Sequence, residues 1–218
     1  MAKVVESGDE FDVQAWREKR RAKYKRRKYV RLEPTSRIPV VSVITPTVPG
    51  REELLLEAQT SVKAQTFAAW EHLVEVDAVK LGPAKVRNRL ALKSEAKFLA
   101  FLDDDDLLDP QHLEVLLSYA MFGVDVVYSD CRLDPPGRWP FNLPFDADRL
   151  KKGNYIPVTA LVRRSTFEEV GGFPLDIDFE DWGLWLRILA AGGVFKHVPK
   201  VTWTYRHGAW DRRSNRLG

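Results

Sequence analysis

Four aspartates stand in a row at residues 103–106, directly behind an apolar run, in the stretch FLAFLDDDDLLDP (98–110). Adjacent carboxylates repel one another unless a positive charge sits among them. The apolar run reads as a buried strand, and successive residues at a strand end point to alternating sides. Asp103 and Asp105 are therefore expected to reach one side together. Two carboxylates placed that way suit a hard divalent cation, which takes oxygen ligands and commonly bridges substrate phosphates. The competing explanation is an acidic surface turn, with Asp106 and Asp109 favouring the N-terminus of the next helix through its dipole. Asp106 is read as the start of that helix.

Such chemistry needs elements to position it. VVSVIT (40–45) is a β-branched apolar run closed by Pro46, a buried strand by composition. Residues 51–65 have helical composition, acidic at the start, with Leu55, Ala58 and Val62 at helical spacing. Further strands are expected at 71–77 and 97–103, and a helix at 85–95. Strand, helix, strand, helix, strand at these spacings implies parallel crossovers and an α/β fold. Ligands of open α/β sheets bind outside the carboxyl ends of the strands. Thr45, Thr47, Asp77 and Asp103 all fall at such ends, so one rim is the expected site.

Beyond the aspartates, PQHLEVLLSYAMFG reads as a helix and VDVVYSD as a strand. DPPGRWPFNLPFD has no clear period and is long for an idle connection, which suits a lid or binding loop. VTALVRR reads as a strand, followed by a short helix ended by Gly171 and Gly172. In EDWGLWLRILAAGG, Trp182, Trp185, Leu186 and Leu189 fall at i, i+3, i+4 and i+7, an apolar helical face stopped by Gly192 and Gly193. VFKHV and VTWTYR read as two closing strands. His72, His112 and His197 share no metal-ligand spacing and read as structural.

The charge is unevenly spread. The 218 residues hold 34 Lys and Arg against 31 Asp and Glu, and residues 1–31 hold 11 and five of these. That arm carries +6 and the remainder −3. Its basic block, residues 16–31, interleaves Trp16, Tyr24 and Tyr29, and suggests an anionic partner, either nucleic acid or a membrane surface. A solvated tail is the plainer explanation. No apolar run approaches the roughly 18–20 residues that span a bilayer, the N-terminus lacks the apolar core of a secretory signal, and the single cysteine, Cys131, excludes an internal disulfide. The cytoplasm is therefore the expected compartment, with peripheral attachment at a membrane surface as the arm's alternative.

In order along the chain, VSVITPT, GPAKVRNRLA, FLDDDDLLDP, VGGF with FEDWGLWLRILAAGG, and VTWTYRHG resemble the motifs of the inverting glycosyltransferases of family 2, with the GT-A fold. The matching pieces run from about residue 39 to 207. The resemblance implies a Rossmann-like α/β domain with a mixed, mostly parallel sheet flanked by helices at 39–218, preceded by the basic arm and linker at 1–38. It implies that Thr45, Pro46 and Thr47 line the base and ribose of a nucleotide-sugar donor, with a UDP-sugar expected first. Asp77 would bind the base, Arg87 the base or a phosphate, and Asp103 and Asp104 would face the ribose and metal environment. Asp105 would ligate Mn2+ or Mg2+, with His207 completing the shell or contacting the diphosphate. Asp181 would be the general base toward a hydroxyl acceptor, and Glu180 would help position that acceptor. Two other readings are a sugar nucleotidyltransferase, which usually opens with a Gly-rich basic loop that TPTVPGREE lacks, and a nucleic-acid-binding protein whose transferase body is degenerate.

Overall fold

The computed structural model describes residues 30–32, 39–120, 123–137 and 141–206. Apolar, β-branched stretches become the strands of one mixed sheet. The first half is the expected alternation: β2 (Val41–Thr47), α1 (Glu52–Lys63), β3 (Trp70–Val76), α2 (Pro83–Ala91) and β4 (Phe98–Phe101). Val30–Leu32, at the end of the basic block, adds β1 antiparallel to β3. After β4 come β5 (Leu107–Leu108), α3 (His112–Ala120), β6 (Val126–Leu133), α4 (Ala147–Lys152), β7 (Leu161–Arg163), α5 (Arg164–Glu169), α6 (Glu180–Ala190) and β8 (Phe195–Tyr205).

The strand order is β1-β3-β2-β4-β7-β6-β8-β5. Three of the junctions are parallel, β3 to β2, β2 to β4 and β6 to β8, and they hold the longest ladders. The others are antiparallel and short. The chain leaves β2 toward β3 on one side and reaches β4 on the other, so a topological switch point lies at the C-terminal end of β2. Crevices form there and admit ligands.

β4 is buried throughout, as a strand covered on both faces must be. Leu99 and Phe101 enter one core with Val86, Leu90, Phe167, Leu184, Trp185 and Ile188. Phe98 and Ala100 enter the other with Ala58, Val62, Leu113 and Leu116. Helices α2, α5 and α6 thus cover one face, and α1 and α3 the other.

Several elements differ from the sequence reading. VFKHV and VTWTYR are one 11-residue strand, because β8 follows β6 in parallel and absorbs Pro199 at an irregularity in the ladder. VTALVRR shortens to β7. On α6 the buried residues are Leu184, Trp185 and Ile188, while Trp182, Leu186 and Leu189 sit at the margin of the core. The stripe is rotated because Gly183 lets the preceding loop press on the helix: a Cβ there would lie 2.3 Å from Ile177 Cδ1. On α1, Leu54 replaces Leu55 in the buried set. The histidines sit inside polar contacts, His72 with Thr45 at 2.9 Å, His112 with Thr202 at 2.8 Å and His197 with Asp130 at 2.7 Å. Among the described residues no helix is long and apolar enough to cross a membrane.

Candidate active site

The C-terminal ends of β2, β3 and β4 bring Thr47, Asp77 and the aspartate run to one rim. The amide of Asp77 donates to the carbonyl of Thr47 at 2.7 Å, continuing the ladder past both strands. Asp77 Oδ2 then accepts the Gly82 amide at 2.8 Å, closing the turn that launches α2. Its second oxygen, Oδ1, is buried without a hydrogen-bond partner. A buried carboxylate oxygen left free is costly, and at a strand end it is a ready acceptor for a ligand N–H. Thr47 donates to Asp104 Oδ2 at 2.5 Å. Pro46 is half-buried beside it. Thr45 lies one step deeper, fully buried, with its hydroxyl on His72 rather than at the rim.

The four aspartates do not continue the strand. β4 ends at Phe101, and the Asp106 amide donates to the Asp103 carbonyl at 3.2 Å, a tight turn through Asp104 and Asp105. A turn abolishes strict alternation, so Asp103 and Asp105 do not share a partner. Asp104 and Asp105 converge instead: Arg51 Nη2 lies 2.6 Å from Asp104 Oδ1 and 2.6 Å from Asp105 Oδ2. Asp103 faces Arg87. Asp106 does not begin the helix, because β5 intervenes. It is buried and accepts the Arg206 amide at 2.9 Å, while Arg206 also reaches the Asp105 carbonyl and Glu57.

Crowding and burial set the electrostatics. Burial pushes the Asp104 carboxyl up to about 6, against the pull of Thr47 and Arg51. Asp105 is raised by burial and by Asp103, and Asp106, the most enclosed, stands well above the usual carboxylate range for the same first reason. Among the described residues no three His, Cys, Asp or Glu side chains form a metal cage. The convergent pair Asp104 and Asp105 does fit a magnesium-like ion, which binds through one or two carboxylates and leaves its other positions to substrate phosphates and water. One cationic nitrogen already sits at hydrogen-bond distance from both. His207 lies outside the described residues, as do residues 16–29 of the basic block.

The second acidic pair is built by α6. Glu180 and Asp181 open that helix, where its dipole favours negative charge. Their side chains diverge as adjacent helical residues do. Glu180 Oε1 accepts from Arg87 Nη1 at 2.7 Å. Asp181 turns the other way: Oδ2 accepts from Asn154 Nδ2 at 2.8 Å and Oδ1 from the Trp182 amide at 2.8 Å. Burial raises its carboxyl above the ordinary range, and those two hydrogen bonds only partly oppose it.

Arg87 joins the two halves. It is buried, its guanidinium spans Asp103 and Glu180, and it lies over the Phe173 ring at 5.4 Å. The next residue, Asn88, grips the backbone of Phe173, donating to its carbonyl at 2.8 Å and accepting its amide at 2.9 Å. Gly172 (φ +71°) leaves that amide room, since a Cβ would stand 2.4 Å from Asn88 Oδ1. The sequence reading gave no role to Arg51, Asn154 or Arg206. Only the turn and the helix start that they meet reveal what they do.

The glycosyl transferase family 2 model matches residues 74–171, a span that includes Asp77, Arg87 and the whole aspartate run. That stretch of the chain is similar to a glycosyl transferase family 2 domain. Outside that span, relatives extend the likeness. O-antigen biosynthesis protein RfbC of Myxococcus xanthus is 28% identical over 217 residues, covering 84% of this chain and 17% of its own. Uncharacterized glycosyltransferase YwdF of Bacillus subtilis (strain 168) is 27% identical over 150 residues, covering 63% of this chain and 55% of its own. The chain thus spans well under two thirds of the curated relatives it matches. Among solved structures, S. aureus TarS 1–349 superposes with a TM-score of 0.65 at 17% identity, covering 76% of this chain and 60% of that one. The mannosyltransferase PcManGT from Pyrobaculum calidifontis, in complex with GDP-Man and Mn2+, gives 0.59 at 15% identity, covering 94% and 68%. These neighbours show the fold, a GT-A-like mixed sheet flanked by helices.

Proposed function

We propose that this chain moves a sugar from a nucleotide-sugar donor to a hydroxyl of its acceptor, with inversion at the anomeric carbon. The observation that carries the reading is Arg87, whose one buried guanidinium joins Asp103 in the acidic turn to Glu180 beside Asp181. Two carboxylate groups with different tasks thereby belong to one site. Asp77, with its partnerless Oδ1, takes an N–H of the donor base, and Thr45, Pro46 and Thr47 form the strand end against which base and ribose lie. Asp103 and Asp104 face the ribose side. A divalent cation, Mn2+ or Mg2+, when bound supplies Lewis-acid neutralisation of the leaving diphosphate without a proton. Asp105 would hold it with Asp104 beside it, and His207 is the further protein ligand proposed.

Asp181 takes the proton of the acceptor hydroxyl. Its raised carboxyl makes it a better base than an exposed aspartate, and a positioned base contributes about 10²–10⁴-fold. Asn154 and the Trp182 amide fix its oxygens. Glu180, held by Arg87, positions the acceptor. Attack from the Asp181 side, opposite the diphosphate, requires one base and no covalent intermediate. A UDP-sugar is the first donor to test: TarS 1–349 was solved in complex with UDP and with UDP-GlcNAc, whereas PcManGT was solved with GDP-Man. Residues 16–31 meet an anionic partner, either nucleic acid or the membrane surface that presents a lipid-carried acceptor, and the reaction belongs on the cytoplasmic side.

Isothermal titration of UDP, GDP and dTDP, with and without Mn2+, tests the donor half. One nucleotide should bind in a metal-dependent way, and Asp105→Ala should lose it. Asp181→Asn should keep that binding and lose transfer by at least about 10²-fold. Failure of every nucleotide to bind would overturn the reading.

A further inference from the structure

The acidic turn already contains a cation. Arginine and carboxylate usually pair through two parallel bonds of the guanidinium fork. Arg51 does otherwise: a single nitrogen, Nη2, stands 2.6 Å from an oxygen of Asp104 and 2.6 Å from an oxygen of Asp105. Its Nε is buried with no acceptor. The side chain therefore serves as a point charge between two carboxylates, with part of its donor set unused. A divalent cation held by Asp104 and Asp105 would need that same place. A guanidinium and a divalent cation cannot share it.

The turn does not depend on Arg51 for its shape. Thr47 holds the other oxygen of Asp104 at 2.5 Å. The Arg206 amide holds Asp106, and the Asp106 amide closes the turn on Asp103. Arg51 itself stands just before α1 with no side-chain capping bond to that helix, so moving its guanidinium breaks no cap.

Building on the metal-assisted reading above, we propose that Arg51 is a displaceable internal counter-ion. It holds Asp104 and Asp105 together while the donor is absent, and gives up those oxygens when a metal arrives with a diphosphate. The released guanidinium then turns to the diphosphate oxygens, which offer its unused donors an acceptor. Metal alone must evict a bound cation and gains no replacement partner for it, whereas metal with nucleotide supplies one. Metal and nucleotide binding are therefore coupled through Arg51, and the coupling is reciprocal.

The test is Mn2+ binding to the full chain, read from the electron paramagnetic resonance of free Mn2+, with and without UDP or GDP. The wild type should bind Mn2+ alone weakly, and nucleotide should tighten it by at least about tenfold. Arg51→Ala should bind Mn2+ alone at least about tenfold tighter than the wild type, since two charge-assisted hydrogen bonds no longer compete, and the nucleotide effect should shrink. Arg51→Gln, neutral and of similar length, is read the same way should the alanine variant fail to fold, and Arg51→Lys, which keeps the charge, should stay weak. Equal Mn2+ affinity in the wild type and the neutral variants overturns the role of Arg51 and leaves the metal site standing. No Mn2+ binding by any of the proteins, with nucleotide or without, overturns the metal-assisted reading itself and this inference with it.

Discussion

Replacing Arg87 by methionine keeps the aliphatic stem and removes the charge that the two half-sites share. Two carboxylates lose their counter-ion at once. Breaking a buried ion pair from one side costs about 3–5 kcal/mol. Glu180 is 19% exposed in its side chain and bears most of that, whereas Asp103, at 35%, can recover hydration. The lower end, about 3 kcal/mol, is therefore expected. Loss of the cation from the Phe173 face adds about 1–2 kcal/mol, since Arg87 is buried. With a urea slope of about 1–3 kcal/mol per molar, the unfolding midpoint of Arg87→Met should fall by about 1 M or more. Glu180→Gln made in the same background should then cost little more, so that a double-mutant cycle returns a coupling of about 1–3 kcal/mol. The proposed sugar transfer should be almost abolished in Arg87→Met, because both carboxylate groups lose their alignment. A midpoint lowered by less than the equivalent of about 1 kcal/mol, with additive single variants, would refute the view that this guanidinium neutralises both groups.

Other expectations follow from the same contacts. As the proposed base, Asp181 must be unprotonated to accept a proton, so kcat/KM should fall on the acid side, with a midpoint above the ordinary carboxylate range. The Asn154 hydrogen bond favours the charged form, so Asn154→Ala should move that acid limb to still higher pH; a limb that stays put or moves down would contradict this. Gly172→Ala should lower the melting temperature, since the new Cβ enters Asn88 Oδ1 at 2.4 Å and the left-handed backbone alone costs about 1–2 kcal/mol. Deleting residues 1–29, which leaves β1 in place, should spare donor binding and weaken an anionic acceptor in a salt-dependent way, and unchanged acceptor turnover at low salt would rule that role out.

The first half of the fold was readable because its strands are short apolar runs and its helices carry clean periodicity, each closed by Pro, Gly or a polar residue. The site's rim followed from those strand ends. What escaped was tertiary. β5 is two residues long and β7 three, too short for any period to register. The two halves of β8 look separate because Pro199 interrupts them, yet β6 pairs with both. The direction of each aspartate depended on a turn that four identical residues cannot announce. Thr45 looked like a rim residue because it ends a strand, but its partner His72 lies inside the sheet. Arg51 read as the start of a helix, since nothing in PGREE points 53 residues ahead to Asp104.

Helix α2 is fixed at its start and at its middle. Gly82, just ahead of it, is pinned by Asp77, and halfway along it Arg87 meets the carboxylates while Asn88 holds Phe173. Neighbouring helical residues point about 100° apart, so this pair divides one turn between chemistry and framework. The segment therefore works as a ruler. One residue inserted or deleted between 82 and 87 would rotate both side chains together, turning Arg87 off the acidic turn and Asn88 off the glycine loop. Its length should consequently be rigid over evolutionary time. Loop-length engineering of this domain has room elsewhere, and none here.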